Sequence, residues 1–149
     1  MRALQFTEEV LEAISQHARK DYPNECCGFL LGTETDDQRQ FTDYLLVDNS
    51  KEGDQRKRFE ISGKDYMKAE CEAALRGLDL LGIYHSHPDH PAIPSRHDHK
   101  QAVPFFSYVI LSVRKGQISK YTSWQLNEAG EFEREHIINT QQYQQEATS

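Results

Sequence analysis

Apolar residues fall in two patterns along this chain: stripes that recur every three to four residues, and short unbroken runs closed by glycine, proline or polar residues. Phe6, Val10, Ile14 and Ala18 repeat every four residues and Leu11 widens the stripe. That spacing predicts a helix over 7–20 with one buried face. Thr7 is its N-cap, Glu8 and Glu9 sit where the helix dipole favours them, and Pro23 ends it. A second helix starts at Ser62, with Asp65 three residues on in a box-like arrangement, and stops at Gly77. Its inward face is narrow: Tyr66, Ala69, Ala73 and Gly77. The unbroken runs predict buried strands at 28–32, 41–49, 59–61, 80–87, 107–113, 118–126 and 132–138. Residues 33–39 read as a polar turn joining the first two strands in a hairpin.

Residues 50–58 form a charged loop, either simply solvated or a partner-binding surface. Pro88, Pro91 and Pro94 stiffen the segment after the 80–87 strand, and a short third helix begins near Ser95. The polar, glutamine-rich stretch 140–149 reads as a disordered tail after one domain spanning 1–139. Strands interleaved with helices give an α/β fold class, a mixed β-sheet flanked by helices.

The 149 residues are enough for one domain with a real core. The net charge of -7 argues against a nucleic-acid partner, which needs a basic surface. No apolar run is long enough for a membrane helix and the N-terminus has no signal-peptide core, so a cytoplasmic protein is expected. Three cysteines, two of them adjacent (Cys26, Cys27), make no disulfide framework and suit a reducing compartment. The adjacent pair reads as small core residues.

The chemistry concentrates where the 80–87 strand ends, at Tyr84-His85-Ser86-His87-Pro88. Residues i and i+2 of a strand point to one face, about 6.6–6.8 Å apart, so His85 and His87 can converge on one ion. They can equally be solvent-facing or hydrogen-bonded histidines. Ser95 and Asp98 follow in a Ser-x-x-Asp arrangement that is close to a helix capping box. A carboxylate held in a helix's first turn is also rigid enough to be a third metal ligand. His90, His97 and His99 rank as surface or supporting residues. A metal hydrolase needs a base, and no His-Glu-x-x-His motif is present. Glu25, at the mouth of the first strand, is the best candidate, although spacing alone leaves it an ordinary loop acid.

Glu25, then His85-Ser86-His87-Pro88, then Ser95 and Asp98, resembles the Glu…His-Ser/Thr-His-Pro…Ser-x-x-Asp pattern of the JAMM (MPN+) metalloproteases, with every position filled. The resemblance extends to about residue 138 and is nearest the short prokaryotic members. It implies a fold like that of cytidine deaminases. It implies one catalytic zinc per chain held by His85, His87 and Asp98, with Glu25 as general acid/base and Ser95 stabilising the oxyanion. It further implies hydrolysis of a peptide or isopeptide bond at the C-terminal Gly-Gly of a ubiquitin-like or sulfur-carrier protein. The family's metal-less members imply the alternative, a non-catalytic scaffold or binding module. A zinc nucleoside deaminase would need Pro-Cys-x-x-Cys, and a cupin a glutamate soon after the histidines; neither is here. The sequence carries no signal for oligomeric state.

Overall fold

The computed structural model describes residues 3–56 and 58–138. Its elements run β1 (Ala3–Phe6), α1 (Glu8–Asp21), β2 (Cys27–Glu34), β3 (Gln38–Val47), α2 (Gly63–Arg76), β4 (Asp79–Pro88), α3 (Arg96–Lys100), β5 (Ser107–Arg114), β6 (Gln117–Leu126) and β7 (Phe132–Ile138). The expected tail at 140–149 lies outside the described residues. Both long helices form as the stripes predict. Thr7 Oγ1 accepts the Val10 N–H, and Ser62 Oγ accepts that of Asp65. Gly77 closes α2 at φ 68, donating its N–H to the Ala73 and Ala74 carbonyls.

The strands close into a barrel in the order β1-β3-β2-β4-β5-β6-β7. The mixed sheet is as expected, with parallel β1/β3, β1/β7 and β4/β5 pairs and antiparallel pairs elsewhere. Its closure is not expected, because the apolar pattern predicts no strand ahead of the first helix. Ala3–Phe6 instead pairs with both β3 and β7 and seals the ring. Four residues give too short a run for periodicity to register; only its two partners make it a strand. Residues 59–61 correct the expectation the other way. They are extended but have no ladder, and Phe59 is buried as a side chain rather than as part of a sheet.

The predicted polar turn at 33–39 shrinks to three residues, since β2 runs to Glu34 and β3 starts at Gln38. Arg39 is the reason. Its side chain is fully buried and is the largest such group in the core. Nε donates to Glu34 Oε2 at 2.6 Å, Nη1 to the Leu81 carbonyl and Ser107 Oγ, and Nη2 to the Phe105 carbonyl at 2.9 Å. The guanidinium also lies 4.9 Å over the Phe105 ring. A cation with this many directed acceptors substitutes for hydrophobic fill and ties β2, β3, β4 and β5 together.

Residues of β2 and β4 feed two clusters, one on each sheet face. Leu30, Leu81 and Tyr84 join α1 through Val10, Ile14 and Ala18. Phe29, Leu31, Leu80 and Ile83 join α2 through Ala69 and Ala73. A register shift at Leu30/Leu31, opposite Gly82 and Leu80, puts Leu80 and Ile83 on the same face despite their odd separation. With that phase set, His85 and His87 follow Ile83 onto the α2 face. Arg39→Ala is expected to lose about 3 kcal/mol, from the cavity it leaves and the buried acceptors left unpaired. Urea unfolding midpoints of the two proteins measure it.

Candidate metal centre

Glu25, His85, His87 and Asp98 meet at the end of β4, and Ser95 caps the helix that carries Asp98. Cys27 faces His85 across the β2/β4 ladder, so Glu25, just ahead of β2, arrives beside the histidines. Ser86 locks this meeting: its N–H donates to the Cys26 carbonyl at 3.1 Å, and its Oγ accepts the Cys26 N–H at 2.8 Å. Glu25, His85, His87 and Asp98 are all buried. Glu25 Oε1 lies 3.6 Å from His85 Nδ1; Asp98 Oδ1 lies 3.8 Å from His85 Nε2, and Asp98 Oδ2 3.1 Å from His87 Nε2. Glu25, His85 and His87 each offer a ligand atom within 4.8 Å of the others, a group that could hold a metal ion.

Asp98 owes its position to the capping box, which forms in full. Ser95 Oγ accepts the Asp98 N–H at 3.1 Å, and Asp98 Oδ2 accepts the Ser95 N–H at 2.8 Å. The cap and the site are therefore one arrangement. Burial works against the Asp98 carboxylate's charge. His85, the His87 hydrogen bond and the Ser95 N–H outweigh that and hold its pKa well below the usual carboxylate range. Burial also lowers the His87 pKa, but the hydrogen bond and charge of Asp98 and the Pro91 carbonyl leave it raised.

The donor set fits a cation. The Pro91 carbonyl, 2.8 Å from His87 Nδ1, can only accept, so Nδ1 carries the hydrogen. In a neutral ring Nε2 then points a lone pair at Asp98 Oδ2, and a proton or a metal must lie between two acceptors so close. Glu25 Oε1 and both His85 nitrogens are buried without a hydrogen-bond partner. Buried polar atoms cost free energy unless satisfied. Two imidazoles with carboxylates suit zinc.

A second layer was not legible in the sequence. Described residues of the 50–58 loop, with Asn49 ahead of it, also clasp Glu25. Asn49 Nδ2 donates to the Glu25 and Arg58 carbonyls, and its Oδ1 accepts the Lys51 and Glu60 N–H groups. The Gln55 carbonyl accepts the Glu25 N–H at 2.7 Å, while Gln55 Nε2 donates to the Asn49 and Lys51 carbonyls. Both backbone groups of Glu25 are thereby fixed. Phe59 stacks on His85 with ring centroids 4.4 Å apart, and its carbonyl accepts from His97 Nε2. His97 thus supports the site from α3. His99 contacts the Gly130 carbonyl, and His90 lies exposed in the proline loop.

Cys26 and Cys27 are packing residues, as their composition suggested. Both are fully buried, and burial pushes the Cys26 thiol up to about 12 and the Cys27 thiol higher still. Native protein is expected to react with a thiol reagent at Cys71 alone, which is exposed. Mass spectrometry should count one adduct before denaturation and three after.

Residues 7–127 match the family model described as prokaryotic homologs of the JAB domain. The chain is 33% identical over 109 residues to the CysO-cysteine peptidase of Mycobacterium tuberculosis, covering 71% of this chain and 70% of that protein. It is 31% identical over 114 residues to the desampylase of Haloferax volcanii, covering 73% and 80%. A solution structure from Desulfitobacterium hafniense superposes with a TM-score of 0.80 at 29% identity, over 91% of each chain.

Proposed function

The chain belongs to the prokaryotic homologs of the JAB domain, and from that premise we propose that it is a zinc-dependent peptidase. Its substrate on this reading is a peptide or isopeptide bond at the C-terminal Gly-Gly of a ubiquitin-like or sulfur-carrier protein. The observation that carries the reading is the buried convergence of Glu25, His85, His87 and Asp98. A scaffold has no use for unsatisfied buried polar atoms that destabilise it. Two relatives named as a peptidase acting on a CysO–cysteine conjugate and as a desampylase support the substrate class.

His85, His87 and Asp98 would hold the zinc. When bound, zinc supplies a Lewis acid that polarises the scissile carbonyl and makes water nucleophilic near neutral pH. Glu25 takes a proton from the attacking water and returns it to the departing amine. Its fixed backbone and its place beside His85 leave the carboxylate only side-chain freedom, which suits a group that must meet water and then the amine. Ser95 Oγ accepts the Asp98 N–H, so the hydroxyl hydrogen is aimed elsewhere and can donate to the oxyanion as the carbonyl becomes tetrahedral. His87 is oriented through Pro91, and Phe59 fixes the plane of the His85 ring.

The three cysteines are free, and no helix among the described residues is long and apolar enough to cross a membrane. We propose the cytoplasm, where free thiols stay reduced.

Incubating the zinc-loaded protein with ubiquitin-like and sulfur-carrier proteins that bear C-terminal extensions is expected to release the extension after Gly-Gly. Mass spectrometry follows it, and a chelator should abolish it. Turnover that survives complete metal removal would sink the reading. Glu25→Gln should keep one zinc per chain and lose at least about 100-fold in kcat, within the range of general acid–base catalysis. Asp98→Ala should lose stoichiometric zinc as measured by atomic emission; full occupancy in that variant would remove Asp98 from the ligand set.

A further inference from the structure

The strand face that carries His85 and His87 continues beyond them. His87 stands beside Ser112 on β5, and Ser112 beside Lys120 on β6. Further along, Tyr108 stands beside Trp124, and Trp124 beside Arg134 on β7. Residues opposite each other in a ladder project to the same face. Two strand spacings of about 4.8 Å put the Lys120 backbone about 10 Å from that of His87. The proline loop lies across the interval, held by Ser112 Oγ donating to the His90 carbonyl and Thr122 Oγ1 to that of Ala92.

Past that loop opens a cavity of about 340 Å³ walled by Arg114, Lys120, Arg134 and the indole of Trp124. Among the described residues no aspartate or glutamate lines it and none of its three cations forms an ion pair, although Asp89 is near enough to Arg114 for their charges to interact. This is unusual company in a chain with 24 acidic and 17 basic residues. Strand alternation produces it. On β7, Arg134 faces the cavity, while Glu135 turns to the other face and accepts from Ser123 Oγ. The cations come from three strands, so their spacing is set by the sheet rather than by one flexible segment.

We propose that this cavity is a carboxylate-binding subsite, which takes an acidic segment of the substrate polypeptide near the scissile bond. It rests on the peptidase reading for its substrate. Charge complementarity selects the occupant. Guanidinium forks pair bidentately with carboxylates, and the indole gives the chain a flat apolar wall between them. A polypeptide that passes over the proline loop can occupy both places.

Trp124 is the chain's single tryptophan, so its emission reports occupancy without any cleavage. The test titrates the full-length protein with a Gly-Gly peptide flanked by two acidic residues, and with its Asn/Gln counterpart. The acidic peptide is expected to shift Trp124 emission and to bind about tenfold more tightly at low salt, a gap that closes near 0.5 M salt. The gap should also vanish in the combined R114Q/K120Q/R134Q variant. Equal affinity for the two peptides overturns the proposal, as does a preference that survives in that variant. Inorganic phosphate or a single-stranded oligonucleotide binding more tightly than the acidic peptide overturns it too, since the site would then be a phosphate site. Cleavage separates the two readings. If neither peptide is cut while the emission preference holds, the peptidase reading fails and the subsite stands. If both are cut with equal kcat/KM and no emission preference, the subsite fails and the peptidase stands.

Discussion

The meeting of β2 with β4 is the constraint on which the rest depends. Cys27 pairs with His85, and Ser86 bonds both backbone groups of Cys26. Some sixty residues of chain are closed into a loop by this contact, at an entropic cost that grows only slowly with length. The ladder offsets it with apolar burial on both faces of the sheet. Only after it forms does an acid from one end of the sequence stand beside two imidazoles from the middle. Barrel closure, the register shift opposite Leu80 and the buried Arg39 all act to hold that pairing in phase. A slip of one residue would turn His85 and His87 to the α1 side and bring Ser86 to the site.

Much of the fold was legible, for reasons that differ by element. α1 and α2 have caps and stripes that are local, and local signals survive without tertiary knowledge. The β4, β5, β6 and β7 strands are dense in apolar residues and lie close to their expected bounds. β1 was hidden because four residues carry no period and its partners lie elsewhere in the chain. Arg39 misled because an arginine among polar residues looks like a turn. Its burial depends on acceptors from Glu34, Leu81, Phe105 and Ser107, none of which sequence proximity alone would assemble. Residues 59–61 look like a strand because Phe59 and Ile61 alternate with Glu60. Phe59 is instead spent on His85.

The candidate site followed the same division. His85, His87, Ser95 and Asp98 lie in one short stretch, and their spacing announced them. The capping box and the ligand reading of Asp98 were rivals in the sequence and are a single geometry in the fold. Asn49 and Gln55 gave no warning. Amide side chains on a polar loop are common, and what distinguishes these two is that the four side-chain bonds of Asn49, and the two side-chain bonds and carbonyl of Gln55, hold Glu25 and the loop beside it.

That clasp separates two kinds of change open to the chain over evolutionary time. Lys51, Glu52, Arg56 and Arg58 belong to the loop and are not among the groups whose side chains grip Glu25. Their charges can be exchanged, reversed or lost while Asn49 and Gln55 go on holding the acid in place. A descendant can therefore change the surface charge of the loop freely. The chemistry at its base need not be rebuilt each time.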